Sequence, residues 1–318
     1  MRKVPHILPV LLGLLLSACD VHELPEEGFG VTVSVALQFP DVMPTYRTLS
    51  YTKAGEAQVP RYTVQVFRYG ADDRLEAEPV WSEQFSGEQI SRLDTTLAVP
   101  LSQQRFRVLS WVDYTAGGRA FWRADDFSKI ALDGDYTGNE DGREAFCGSL
   151  ELDLRDVRPR EDLIIEEVIR MQRPVARVQF FVADKETFLA RAGAAGLAGW
   201  RAVLSYPAFL PDSYSLLEER TVDARSGVSF EGRVEQTSGG EISIGFDYVL
   251  VNGPESAVTM ALTLYDPDGK AAGSLPATNI PVARGQRTLV WGDYFTGSGG
   301  GGVAIDPGFG GDIDIELQ

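Results

Sequence analysis

Covalent or metal chemistry needs nucleophiles, titratable groups or ligands at workable spacings, and in this chain the cysteines, the histidines and one acidic loop are where such chemistry could sit. The cysteines are Cys19 and Cys147 and the histidines His6 and His22. Everything after His22 therefore lacks an imidazole to act as general base or to activate a nucleophile. Ser-His-Asp and Cys-His systems are excluded there, as are zinc sites built on histidine. Cys147 then reads as a small buried apolar residue, not a reactive thiol. Carboxylates are plentiful enough for a pair of the glycosidase kind, but no spacing singles one out. The expectation is a protein that is not an enzyme and carries no cofactor.

Two further segments invite a chemical reading. Asp133-Gly134-Asp135-Tyr136-Thr137-Gly138, running on to Glu144, places acids at the first and third positions, glycine at the sixth and glutamate at the twelfth of a calcium loop. Thr137 stands where Asp or Asn is usual, Glu140 where an apolar residue closes such a loop, and the flanks read as strands, not helices. An acidic inter-strand loop without metal is the expectation. The run Ser298-Gly299-Gly300-Gly301-Gly302 lacks the lysine and hydroxyl of a phosphate loop, and is expected to be a flexible hairpin loop between two late strands.

Cys19 has a definite chemistry. Arg2-Lys3 followed by an apolar stretch from Ile7 to Leu16 forms the basic and hydrophobic regions of an export signal, too short for the roughly 20 apolar residues of a membrane span. Leu16-Ser17-Ala18-Cys19 resembles a lipobox, in which the thiol is diacylglycerylated, the leader is cut between Ala18 and Cys19, and the new amine is acylated. The expected partner is outer-membrane lipid, held through acylated Cys19. Several acyl chains, at ~0.8 kcal/mol per buried methylene, anchor far more firmly than one. With Cys19 acylated, Cys147 has no partner for an intrachain disulfide.

The formal charge of -17 becomes -19 once Arg2 and Lys3 leave with the signal. Such a chain lacks the basic footprint that nucleic acid requires. Residues 19–28 open with an acidic, proline-containing stretch, Asp20-Val21-His22-Glu23-Leu24-Pro25-Glu26-Glu27-Gly28, which reads as a tether.

Beyond the tether, apolar and polar residues alternate. Val31 to Phe39 is a period-2 run with β-branched residues on one face, hence a strand with a core face. Similar runs are expected at Tyr62–Tyr69, Leu93–Val99, Phe106–Asp113, Leu150–Leu154, Leu163–Met171, Val175–Ala183, Arg201–Tyr206, Val228–Glu235, Glu241–Val251, Val258–Asp266, Arg287–Phe295 and Gly311–Leu317. Lys185 to Gly193 has helical spacing and a glycine stop. Many short strands separated by turn residues favour sandwiches over α/β architecture. The 318 residues divide most economically into a signal (1–18), the tether (19–28) and two β-sandwiches (29–171 and 172–318), with the break near Gln172-Arg173-Pro174.

Four ordered segments carry a resemblance. They are Phe106-Arg107-Val108-Leu109-Ser110-Trp111-Val112-Asp113-Tyr114; Glu144-Ala145-Phe146-Cys147-Gly148; Met171-Gln172-Arg173-Pro174-Val175-Ala176-Arg177-Val178; and Arg287-Thr288-Leu289-Val290-Trp291-Gly292-Asp293-Tyr294-Phe295-Thr296 followed by Ile305-Asp306-Pro307-Gly308-Phe309. Together they resemble the fimbrillin-like (type V pilin superfamily) lipoproteins of Bacteroidales. Cys147 replaces an aromatic that is usual there. The resemblance implies an all-β fold of two tandem transthyretin-like, Greek-key sandwiches with one short helix. It also implies a lipid-anchored place on the outer membrane and a structural or adhesive role in surface fimbriae as subunit, tip or anchor. In polymerising members an arginine-specific protease removes the first strand, and a segment of another pilin-like subunit fills the groove by strand addition. Here that strand is Val31–Phe39, and the candidate processing residues are Arg47 and Arg61. The alternative, a glycan-binding outer-membrane lipoprotein of a polysaccharide-uptake system, would expose aromatic platforms, for which Trp81, Trp122 and Trp200 are available.

Overall fold

The computed structural model describes residues 28–40, 58–87, 92–100, 105–157, 164–296 and 301–306. Cys19, Ala18, Arg47 and the expected strand Gly311–Leu317 lie outside them. The first part of the chain forms β1 (Gly28–Gln38), β2 (Gln58–Arg68), β3 (Trp81–Ser86), β4 (Arg92–Pro100), β5 (Arg105–Ala116), β6 (Arg119–Ala120), β7 (Trp122–Arg123), β8 (Ile130–Leu132), β9 (Phe146–Asp153) and β10 (Ile164–Arg170). There follow β11 (Val175–Val182), the helix α1 (Lys185–Ala192), β12 (Arg201–Tyr206), β13 (Leu210–Ser215), β14 (Arg220–Arg225), β15 (Val228–Gly232), β16 (Glu235–Gln236), β17 (Ile242–Leu250), β18 (Glu255–Tyr265), β19 (Ala271–Ala283), β20 (Arg287–Gly292) and β21 (Gly301–Asp306).

Among the described residues the fold is all-β with one short α-helix. Sheet β10-β1-β4 faces sheet β3-β2-β5, with β9 added beside β5. Val31, Val33, Val35 and Leu37 from the first sheet meet Tyr62, Val64, Val66, Phe106, Val108 and Phe146 from the second. A second sandwich sets β16-β17-β11-β20-β21 against β15-β12-β18-β19, around Val178, Phe180, Leu204, Ile244, Met260 and Val290. Strict alternation explains both: each strand turns one row of side chains inward. A third core joins strands from both parts of the chain, packing Trp111, Trp122, Phe127 and Cys147 against Tyr214, Leu216, Phe246 and Tyr248. The small sheet β14-β13-β8-β7 spans the same boundary, with Ser213 opposite Ala131 and Tyr214 opposite Ile130.

Several expectations need correction in detail. Gly301 and Gly302 are not loop: they open β21 and pair with Gly292 and Trp291. The run expected over Val228–Glu235 breaks at Gly232 into β15 and β16, and the Arg287 strand stops at Gly292. There Asp184 takes over, its carboxylate accepting the amides of Tyr294 (3.1 Å), Phe295 (2.7 Å) and Thr296 (2.9 Å). The 13-residue β19 was hidden by Pro276 and Pro281; it is an edge strand, where proline is tolerated.

Candidate functional site: the first-strand slot and its ion-pair frame

Both edges of β1 are occupied. It runs antiparallel to β4, from Gly28 opposite Pro100 to Ala36 opposite Arg92, and parallel to β10, from Thr32 opposite Ile164 to Gln38 opposite Arg170. Its inward residues Val31, Val33, Val35 and Leu37 are 0, 0, 3 and 5% exposed, so this one strand supplies a complete row of the first core. Their burial is worth roughly 6–12 kcal/mol, an upper estimate because the unfolded chain already hides some of that surface. Lifting β1 out would leave two unpaired strand edges and an apolar slot floored by β2, β5 and β9.

Buried ion pairs form a frame behind the slot, on the far face of the β2-β5 sheet and at the join between the two parts of the chain, and the segments singled out in the sequence supply most of them. Asp113 on β5 is 0% exposed and accepts Arg61 Nε at 2.8 Å, Arg61 Nη2 at 2.6 Å and the Trp111 indole at 3.0 Å. Arg61 also donates to the Trp122 carbonyl at 2.5 Å. Glu144 accepts Arg173 Nε at 2.6 Å, and the Arg173 guanidinium lies over the Phe146 ring at 4.6 Å. Arg177 approaches Asp141 at 3.4 Å and stacks over Phe246 at 4.0 Å. Arg143 donates to Asp247 at 2.5 Å and to the carbonyls of Thr137 and Tyr248, both at 2.8 Å. The hydroxyls of Tyr136 and Tyr206 also donate to Asp247. The segments containing Glu144 and Arg173-Pro174 are thus joined in space, and Gly148 permits it: a Cβ there would lie 2.4 Å from Ile169 Cγ2 and 2.9 Å from the Arg170 carbonyl.

Burial dominates the electrostatics. It raises the carboxyls of Asp113, Glu144 and Asp247 against the opposing pull of Arg61, Arg173 and Arg143, and pushes Asp141 up to about 6 despite Arg177. Neither Asp141 oxygen accepts a hydrogen bond within the protein. Burial likewise pushes the Cys147 thiol up to about 12, so it is protonated and inert.

The structure distributes the sequence-derived candidates unevenly. Arg61 is not a loop residue: it lies inside β2, 8% exposed and tied to Asp113, where no protease can reach it in the folded chain. In the acidic loop, Glu144 is committed to Arg173 and Thr137 to Arg143, and among the described residues no cluster of three or more acids, cysteines or histidines is arranged for a metal. Trp122 and Trp200 are 1 and 9% exposed, and Trp81 packs against the first core. Arg143, Asp141, Asp247 and Tyr206 escaped sequence reasoning. One signal was present, a lone acid inside the apolar run Ile242–Val251, since an unpaired charge cannot be buried there. Among the described residues no helix is long and apolar enough to cross a membrane.

No curated protein sequence matches the chain. Solved structures do. A Bacteroides thetaiotaomicron protein described as a candidate polysaccharide-binding protein is 11% identical over 91% of this chain and 98% of its own, with a TM-score of 0.50. A fimbrial assembly protein from Parabacteroides distasonis is 12% identical over 92% and 100%, TM-score 0.46. The fimbrial anchor protein Mfa2 from Porphyromonas gingivalis is 12% identical over 91% and 100%, TM-score 0.43. At such identities the first of these likenesses is one of fold. Residues 25–318 match the model of a family of unknown function, DUF6562, and the chain belongs to that family.

Proposed function

We propose that the protein is a lipid-anchored, fimbrillin-like component of the cell surface, structural or adhesive in role, whose first strand is the exchangeable element. The observation that carries this reading is the position of β1: paired on both edges, supplying one whole row of the core, and joined to β2 only through residues 39–57, which include Arg47. Cys19 and β1 share one fragment, so a single cut after Arg47 would release the anchor and open the slot together. A strand from another subunit with apolar residues at alternate positions would refill it, drawing affinity from backbone pairing and specificity from the side-chain row. The reading assigns no enzymatic step and no cofactor. Its support is a body without histidine in which each buried carboxylate among the described residues faces an arginine.

The test is electron microscopy of the mature protein before and after arginine-specific proteolysis, with the mass of the new N-terminus determined. Filaments appearing only after cleavage at Arg47 are expected of a polymerising subunit; an uncut protein retaining lipid and β1 is expected of an anchor or tip. Cleavage between β1 and β2 that leaves a folded monomer unable to accept any strand would refute the exchangeable strand. A Cys19→Ala protein that stays membrane-bound would refute the lipid anchor.

A further inference from the structure

One aromatic pair lies outside all three cores described above. Phe181 of β11 and Trp291 of β20 are in register on the outer face of their sheet, stacked at 4.6 Å between centroids and 19° between planes. Arg177, on the same face of β11, is covered by Asp141 and the first part of the chain. Phe181 lies four residues further along, about 13 Å away, beyond that cover. On its other flank Trp291 pairs with Gly302 of β21, which has no side chain to lie over the indole. Trp291 is accordingly half-buried and forms one wall of a 490 Å³ cleft.

Polar groups of three kinds surround that wall: Lys185, Glu186 and Thr187 at the start of α1, and Glu241 at the start of β17. Among the described residues the charged groups of Lys185, Glu186 and Glu241 have no ion-pair partner. They contrast with the arginines and acids of the frame, which are spent on one another. An aromatic plane backed by a second ring presents a negative π face, which attracts the weakly positive C–H groups on the apolar face of a pyranose. Carboxylates, an ammonium and a hydroxyl at its rim match the sugar's hydroxyls as acceptors and donors. Two unpaired carboxylates against one ammonium, on a protein of charge -17, disfavour uronic or sulfated sugars.

We propose that this cleft is a sugar-binding subsite that takes one neutral or amino-substituted pyranose ring of a surface glycan, stacked on Trp291. The subsite is built on a different sheet from β1 and does not depend on strand exchange. It also relocates the aromatic platform from Trp81, Trp122 and Trp200 to a tryptophan whose neighbours expose it.

Isothermal titration of the full-length mature protein with cellotriose, maltotriose and chitotriose, with trigalacturonate as the acidic control, tests this. Saturable binding of at least one neutral or amino trisaccharide, with none of trigalacturonate, is expected. Trp291→Ala should weaken that binding at least about tenfold, the scale of one lost aromatic contact, and Trp81→Phe should leave it unchanged. Glu186→Gln, an exposed change outside both cores, guards against a folding defect: it should weaken binding several-fold with an unaltered melting temperature. No saturable binding to any of the three, tighter binding of trigalacturonate, or full affinity in both Trp291→Ala and Glu186→Gln would overturn the proposal.

Discussion

Asp113 shows what the buried arginines do. It sits with no exposed surface under a bidentate Arg61 and the Trp111 indole, so its burial cost is met only while those donors stay. Asp113→Ala should lose about 3–5 kcal/mol in urea unfolding, because it strands Arg61, whereas the double change Arg61→Met with Asp113→Leu should recover most of that. A loss no larger in the single variant than in the double one would show the pair to be incidental. Asp141 predicts a pH effect. Its folded-state value of about 6 exceeds the ordinary ~3.9 of an unfolded aspartate, so the folded protein holds the proton more tightly. The stability this confers is complete below pH ~4 and lost as pH rises through 6. Asp141→Asn should therefore be more stable than the parent by about 2–3 kcal/mol at pH 7, with the advantage vanishing near pH 4; a pH-independent difference in thermal midpoints would contradict it. Cys147, pushed up to about 12, should resist thiol reagents until the protein is unfolded.

At the level of elements, β1 and β11 occupy equivalent places. Each opens a sandwich and lies between an antiparallel neighbour, β4 or β17, and a parallel one, β10 or β20. β11 is bound into the chain on both sides by short connections; β1 is followed by the long segment 39–57, which makes it the separable copy. Gly148→Ala should force β10 away from β9, destabilising by about 1–3 kcal/mol. Hydrogen exchange should then show lost protection in β1 and β10 with β11 and β20 unchanged. Most of this layer was legible in the sequence, because alternation over Val31–Leu37 or Val258–Leu264 imposes a buried face whatever the partner. The helix was legible from Phe188, its glycine stop and its spacing. What could not be read were β3, β13, β14 and β19, which are short, polar or proline-bearing and exist because a neighbour pairs with them. The ion-pair frame was half legible: Asp113, Glu144, Arg173 and Arg177 stood in noticeable segments, but their ion pairs join residues from 29 to more than 50 positions apart, a distance no local pattern encodes.

The whole molecule is two sandwiches fastened through a third core and a shared sheet, so the floor of the β1 slot is braced on its far face from outside the first sandwich. Exchange requires the floor of β2, β5 and β9 to hold while β1 is away, and those strands pair with one another and not with β1. The most direct test places a protease site between β1 and β2 and follows uptake of a fluorescent peptide of residues 28–38 by the cut and uncut proteins. The cut protein should take up the peptide stoichiometrically, releasing its own β1, while the uncut protein takes up none. A cut protein that remains folded and excludes the peptide, or an uncut one that binds it equally well, would contradict the account.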